Sequence, residues 1–288
     1  MGGYFLGLVS MAGVIFFSSC LFLSDSMSMF WLFLELSALS LVPSFFLRLG
    51  SGVLEALFNY LVVSSISSSL MICGFFYDSL LFLCFLGLSM KFGVFPFQGW
   101  IYKVLLSSGW LVVWGFSVFL KIPFLFICFF LSSGGVPFLK VACVLSFFFL
   151  SALFWCYSYS WCHCWCHMML SSSVVLVAMS VEGSGDALFY LFVVYTLWGS
   201  AVLLFLGYLE DWGLSGVGAY FVFLVLLVSL PLSVSVFYKV WLAVSVFFCY
   251  LPVFVAWCLY SVSEQLFLIS YLVKESVSCE TYGGASLG

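Results

Sequence analysis

The sequence predicts an all-α polytopic membrane protein with about ten transmembrane helices, several of them interrupted near proline. Three observations carry this. Hydrophobic residues make up 66% of the 288-residue chain and charged residues 6%, against roughly a quarter charged in a soluble domain whose surface must face water. The apolar runs are continuous, whereas a membrane β-barrel alternates apolar and polar residues over segments of about ten. The runs also reach the roughly 20 residues that a helix needs to cross a bilayer.

Apolar runs read against polar and turn punctuation place spans at 4–23, 27–47, 53–76, 79–97, 108–131, 136–157, 165–181, 187–207, 217–240 and 242–262. The first lacks a basic n-region and a small-residue cleavage site, so it reads as a retained span. Connectors are short: Asp25 with its serine neighbours, 48–52 after Arg48, Asp78, 132–135, 182–186 and 208–216. From Ser263 the chain turns mixed, and 278–288 reads as a frayed polar tail. The whole, 1–288, is one transmembrane domain. Arg48 and Lys103 fall on the N-terminal side and Asp25, Asp78, Glu182 and Asp186 on the other, so the positive-inside rule puts both termini in the matrix or cytoplasm.

Composition excludes other classes. Seven Lys and Arg, scattered singly, make no nucleic-acid footprint. Twelve cysteines lie mostly inside apolar runs, where a free thiol behaves as a small hydrophobe. Phenylalanine occurs 37 times and tryptophan 11, yet threonine occurs only at Thr196 and Thr281 and asparagine only at Asn59. Bilayer chemistry does not remove threonine, which packs well in membrane helices. The skew matches codons rich in T and G, as in a mitochondrial genome.

The informative residues are ions within apolar runs: Glu35, Lys91, Lys121 and Lys239. A charge at mid-bilayer costs about 2.5–3.5 kcal/mol on insertion scales, so it normally lines a polar path or meets a counter-charge. Lys239 can also be read as snorkelling to the headgroups if its helix is straight. For Lys91 and Lys121 that reach is half a bilayer. Arg48, Lys103, Lys140 and Lys274 sit near span ends and read as anchors. Pro96, Pro123 and Pro231 each lie within eight residues of one of the intramembrane lysines. Proline removes a helical hydrogen bond and frees a carbonyl, and broken helices are how many transporters build mid-membrane ion sites. The chemistry these residues allow is proton transfer: a Glu–Lys pair whose separation changes acts as a switch, with serines such as Ser171, Ser172 and Ser173 holding relay water.

Several of these segments resemble subunit 2 of mitochondrial NADH dehydrogenase (respiratory complex I). Residues 31–36 (WLFLEL) resemble that family's W-x-x-L-E helix, and 54–60 (LEALFNY) its E-A-x-x-K-Y. Residues 90–104 (MKFGVFPFQGWIYKV) resemble K-x-G-x-x-P-F-H-x-W, the most specific match. Residues 120–123 (LKIP) resemble Q-K-x-x-P, and SLPL at 229–232 with YKVW at 238–241 resembles G-x-P-P with x-K-W. Order and spacing agree over about 27–246. The resemblance implies an antiporter-like fold, a proton-channel glutamate at Glu35, central lysines at Lys91 and Lys121, an exit-side lysine at Lys239, and a family glutamate at Glu55. Asn59 stands where the family has lysine, Gln98 where it has histidine, Ser233 near the second loop proline, and Leu176 where S-S-x-x-H places a histidine. The short, Phe-rich form resembles the nematode version.

The resemblance further implies a core subunit of a proton-translocating NADH:ubiquinone reductase in the inner mitochondrial membrane. No redox centre or cofactor is implied in this chain; NAD, FMN, iron–sulfur clusters and ubiquinone belong elsewhere in the complex. Its partners would be other membrane-arm subunits, including neighbouring antiporter-like subunits, and bound phospholipid, with no nucleic acid. The alternative is a free-standing secondary transporter or ion channel, which should show inverted repeats and stronger loop charge. Cys162, His163, Cys164, Cys166 and His167 look like metal ligands, but C-W-C-H is one residue short of a haem C-x-x-C-H and lacks a second zinc pair. The segment reads instead as an interfacial Trp/His belt.

Overall fold

The computed structural model describes residues 2–24, 26–47, 50, 52–76, 80–122, 137–182, 185–214 and 216–283. Among them every regular element is helical: α1 (Gly2–Cys20), α2 (Met27–Ser40), α3 (Val42–Phe45), α4 (Val53–Phe76), α5 (Leu81–Phe92), α6 (Gly99–Ser107), α7 (Trp110–Ser117), α8 (Pro137–Cys156), α9 (Trp161–Glu182), α10 (Gly185–Trp212), α11 (Val217–Leu226), α12 (Val234–Cys249) and α13 (Leu251–Gly283). Seven stretches are long and apolar enough to cross a membrane: Phe5–Leu23, Ser28–Phe45, Val53–Phe76, Phe138–Cys156, Trp161–Ser180, Gly185–Trp212 and Leu251–Lys274. This is a multi-pass membrane protein.

Several of the expected spans are not continuous helices. The segment expected at 79–97 holds α5 and then breaks, and α6 occupies the stretch expected to connect it to the next span. The break begins at Gly93, whose φ of +67° suits a residue without Cβ. The amide of Gly93 donates to the Met90 carbonyl and that of Val94 to the Ser89 carbonyl, the paired bonds of a Schellman stop. Trp100 Nε1 also donates to Met90 O, at 2.9 Å. Pro96 lies within the resulting loop. The expected 217–240 is likewise split into α11 and α12 around Pro231. The expected 108–131 closes its α-helix at Ser117 and continues as a 3₁₀ turn over Phe119–Lys121. Pro123 lies outside the described residues.

The C-terminal spans shift. The boundary expected near 240–242 is instead at Tyr250, because α12 runs on to Cys249 and Pro252 stands in the first turn of α13, where its missing amide costs nothing. The mixed stretch from Ser263 therefore belongs to a bilayer-length helix. The tail expected from Ser278 is helical as far as Gly283; the remainder lies outside the described residues.

Helix α9 forms the middle of the bundle: 83% of its apolar window is buried, against 33% in α4. Cys164, Trp165, Cys166 and His167 are all in the core. The interfacial-belt reading of this segment is thus corrected: only its start reaches the surface. Its serines Ser171, Ser172 and Ser173 bond to carbonyls one turn back, which lets a polar residue pack where a small one is needed.

The ends of the bundle can be told apart by contacts. Lys103 and Glu55 meet at one end, where Trp110 Nε1 donates to Glu210. Following the chain, α8 starts at the opposite end, where Lys140 lies over the Tyr250 ring. Glu55 and Glu210 share the Lys103 end.

Candidate functional site

Each break delivers one lysine to the interior. Lys91 is in the last turn of α5, two residues before Gly93. Its ammonium lies 3.8 Å from Glu35 Oε1 on α2, with the two side chains 11% and 21% exposed. No direct hydrogen bond completes this pair: Lys91 Nζ and Glu35 Oε1 are buried atoms without a hydrogen-bond partner.

Lys121 ends the 3₁₀ turn and is 2% exposed. Its three ammonium protons go to Met169 O at 2.9 Å, Ser172 Oγ at 2.7 Å and Tyr195 Oη at 3.0 Å. The ammonium also lies 4.4 Å from the centre of the Tyr195 ring. Tyr195 in turn donates a hydrogen bond to Ser117 O at 3.0 Å, a carbonyl released where α7 ends. Among the described residues no carboxylate pairs with Lys121; neutral oxygens and a ring face solvate it.

Lys91 and Lys121 face one cavity. Tyr60, Ser64, Trp100 and Ser173 line it with the two lysines. Its free volume is about 30 Å³, enough for a water, which needs roughly 10–15 Å³ and polar partners.

Lys239 is two turns into α12 and does not snorkel. It lies 2.7 Å from Glu264 Oε1, with the side chains 12% and 6% exposed. Gln265, next to Glu264, holds the second break: it accepts from Ser229 N at 2.7 Å, and its amide donates to Leu227 O and Glu264 Oε1. Trp198 caps the freed Leu226 carbonyl at 3.0 Å. Tyr238, beside Lys239, stacks on Trp198 at 4.6 Å and lies 6.1 Å from Tyr195. The surroundings of Lys121 and Lys239 are therefore continuous.

The structure brings all four predicted ionisable residues to the interior, in the order Glu35, Lys91, Lys121, Lys239. Sequence reading misses Glu264, Gln265 and Tyr195. Glu264 is legible in principle: an acid thirteen residues after Leu251 in a bilayer-length run becomes an intramembrane charge once Pro252 is taken as a helix start. The Cys/His segment does not converge, and among the described residues no three Cys, His, Asp or Glu side chains group as metal ligands. His163 meets Ser160 at 2.8 Å, Cys162 donates to Leu105 O, and His167 turns inward to Tyr102.

No protein-family model and no curated protein matches the sequence. Among solved structures, the chain superposes on a chain of respiratory complex I from Thermus thermophilus with bound aureothin, at a TM-score of 0.72. That likeness is one of fold. Identity is 18%, and the match covers 92% of this chain and 69% of the other. Interrupted helices and interior lysines thus sit on a fold shared with that chain.

Proposed function

We propose that this chain is the antiporter-like subunit 2 of respiratory complex I, of the short nematode-like mitochondrial form. In this reading it sits in the inner mitochondrial membrane among other membrane-arm subunits and phospholipid. It moves protons while NADH, FMN, iron–sulfur clusters and ubiquinone react elsewhere in the complex. The observation that carries the reading is the row itself: a lysine solvated by neutral oxygens stands between two lysines that each face a glutamate.

The row supports a sequence of steps. Glu35 stabilises the charged Lys91, and the stabilisation falls as their separation grows. A conformational change arriving at α2 shifts that balance. Once Lys121, which Ser172 and Tyr195 hold in place, has given a proton toward Lys239, its neutral amine takes the proton that leaves Lys91 across the water-sized cavity. Lys121 hands it on toward Lys239, whose charged form Glu264 favours. Each transfer moves one proton from one amine to the next, so the net result is displacement along the row.

Lys121→Met keeps length and apolar packing but removes the amine. In reconstituted complex the variant should assemble, and proton flux per NADH should fall. Normal flux per NADH at normal turnover would remove Lys121 from the path.

A further inference from the structure

His167 is a buried titratable side chain that the lysine row does not use. It is fully enclosed in the middle helix. Its Nδ1 is 2.5 Å from the Tyr102 hydroxyl on α6. Its Nε2 is buried without a hydrogen-bond partner, and the Tyr157 ring, in the α8–α9 connector, lies 6.4 Å from the Tyr102 ring that His167 touches. A buried polar atom left unpaired in this way usually marks a water site.

Groups continue on both sides of it. Toward the surface, His163 lies one turn earlier on the same face of α9. It bonds Ser160 at 2.8 Å and packs against the Tyr157 ring at 5.0 Å. Inward, Ser171 lies one turn later on that face. The Tyr260 hydroxyl is also buried and unpaired, and Tyr260 lies one turn before Glu264 on the same face of α13. The Phe154 ring touches both His167, at 4.8 Å, and Tyr260, at 5.7 Å. Surface, imidazole, tyrosine, serine and carboxylate thus succeed one another from the α8–α9 connector to the Lys239–Glu264 pair.

Building on the proposed function, we infer that His167, with Tyr102 and Tyr260, forms a second proton path that joins the α8–α9 end of the bundle to Lys239–Glu264 without passing through Lys121. A proton arrives at Nε2 of the neutral imidazole and one leaves from Nδ1 to Tyr102. Tyr102 releases its own proton through Ser171 and Tyr260 to Glu264. Each group gains one proton and loses one, and bound water fills the gaps at Nε2 and at the Tyr260 hydroxyl.

The test uses intact complex in sealed vesicles carrying His167→Gln or Tyr102→Phe. Each should assemble and lose about half of the coupled proton flux, because removing a positioned proton carrier closes this path while the Lys121 row keeps running. Redox-induced infrared difference spectra should show an imidazole protonation band in the wild type and none in His167→Gln. A histidine that only packs would give no such band. If His167→Gln fails to assemble, Tyr102→Phe decides, since it removes one oxygen. Normal flux in Tyr102→Phe with an unchanged imidazole band overturns the path. Loss of flux in Lys121→Met alongside normal flux in both of these variants overturns this path and leaves the proposed function standing. Normal flux in all three overturns both.

Discussion

The two glutamate–lysine pairs place the same chemistry at opposite ends of the row, in different states of closure. Lys239 and Glu264 are 2.7 Å apart and nearly inaccessible, and Gln265 ties the carboxylate to the broken helix. Lys91 and Glu35 are 3.8 Å apart, and Glu35 also lines a second cavity with Phe58, Leu61 and Ser65, open toward the outside of the bundle. A loosely joined pair at the edge can be moved by a neighbour, whereas a tightly held one cannot move without its loop. In the proposed proton path, the difference makes Glu35–Lys91 the pair that receives a signal and Lys239–Glu264 the pair that holds a proton at the far end.

The largest expected effect breaks the closed pair. Glu264→Gln leaves Lys239 buried without its counter-charge and should cost about 3–5 kcal/mol. Glu35→Gln should cost only about 1 kcal/mol, because its pair is longer and more exposed. Thermal denaturation of the two variants in detergent-purified complex measures both, and equal losses would erase the distinction.

The next effect compares the two breaks. At Gly93 a side chain would meet the positive φ and crowd Leu170 and Ile101, so Gly93→Ala should cost about 1–2 kcal/mol. The second break holds Leu232 at a φ of +72°. Leu232→Gly should therefore be neutral or gain up to about 1 kcal/mol, relieved strain being offset by the flexibility of glycine in the unfolded chain. The same denaturation series reads both signs.

A smaller change tests the centre. Tyr195→Phe removes one oxygen from Lys121 and the bond to Ser117, for a loss of about 1–2 kcal/mol and slower proton flux at unchanged assembly. The smallest is Lys103→Ala. Its pair with Glu55 is largely solvent-exposed, so stability should move by no more than about 0.5 kcal/mol and flux should stay normal.

Much of this is legible in the sequence because bilayer chemistry is severe. Lys91 and Lys121 stand out as ions in hydrocarbon, and Pro96 and Pro231 lie where helices break. Partnership is what stays hidden. Lys121 bonds Met169, Ser172 and Tyr195, residues 48 to 74 positions away, and nothing local in the chain points to them. Glu264 is hidden differently: no polar residue marks the start of α13 at Leu251, so the boundary falls at the nearest charged residue, Lys239, and the acid drops outside the expected spans. His167 reads as interfacial because tryptophan and cysteine surround it. A helix with apolar residues on every face looks the same whether lipid or protein covers it, and only packing distinguishes the two.

The proposed proton row crosses the cavity between Lys91 and Lys121. An experimental map of the assembled complex, sharp enough to place ordered water, tests it directly. At least one water should lie in that cavity within hydrogen-bond reach of a lysine amine, with Lys121 held by Met169, Ser172 and Tyr195. A dry cavity with Lys121 turned toward the headgroups would contradict the proton row.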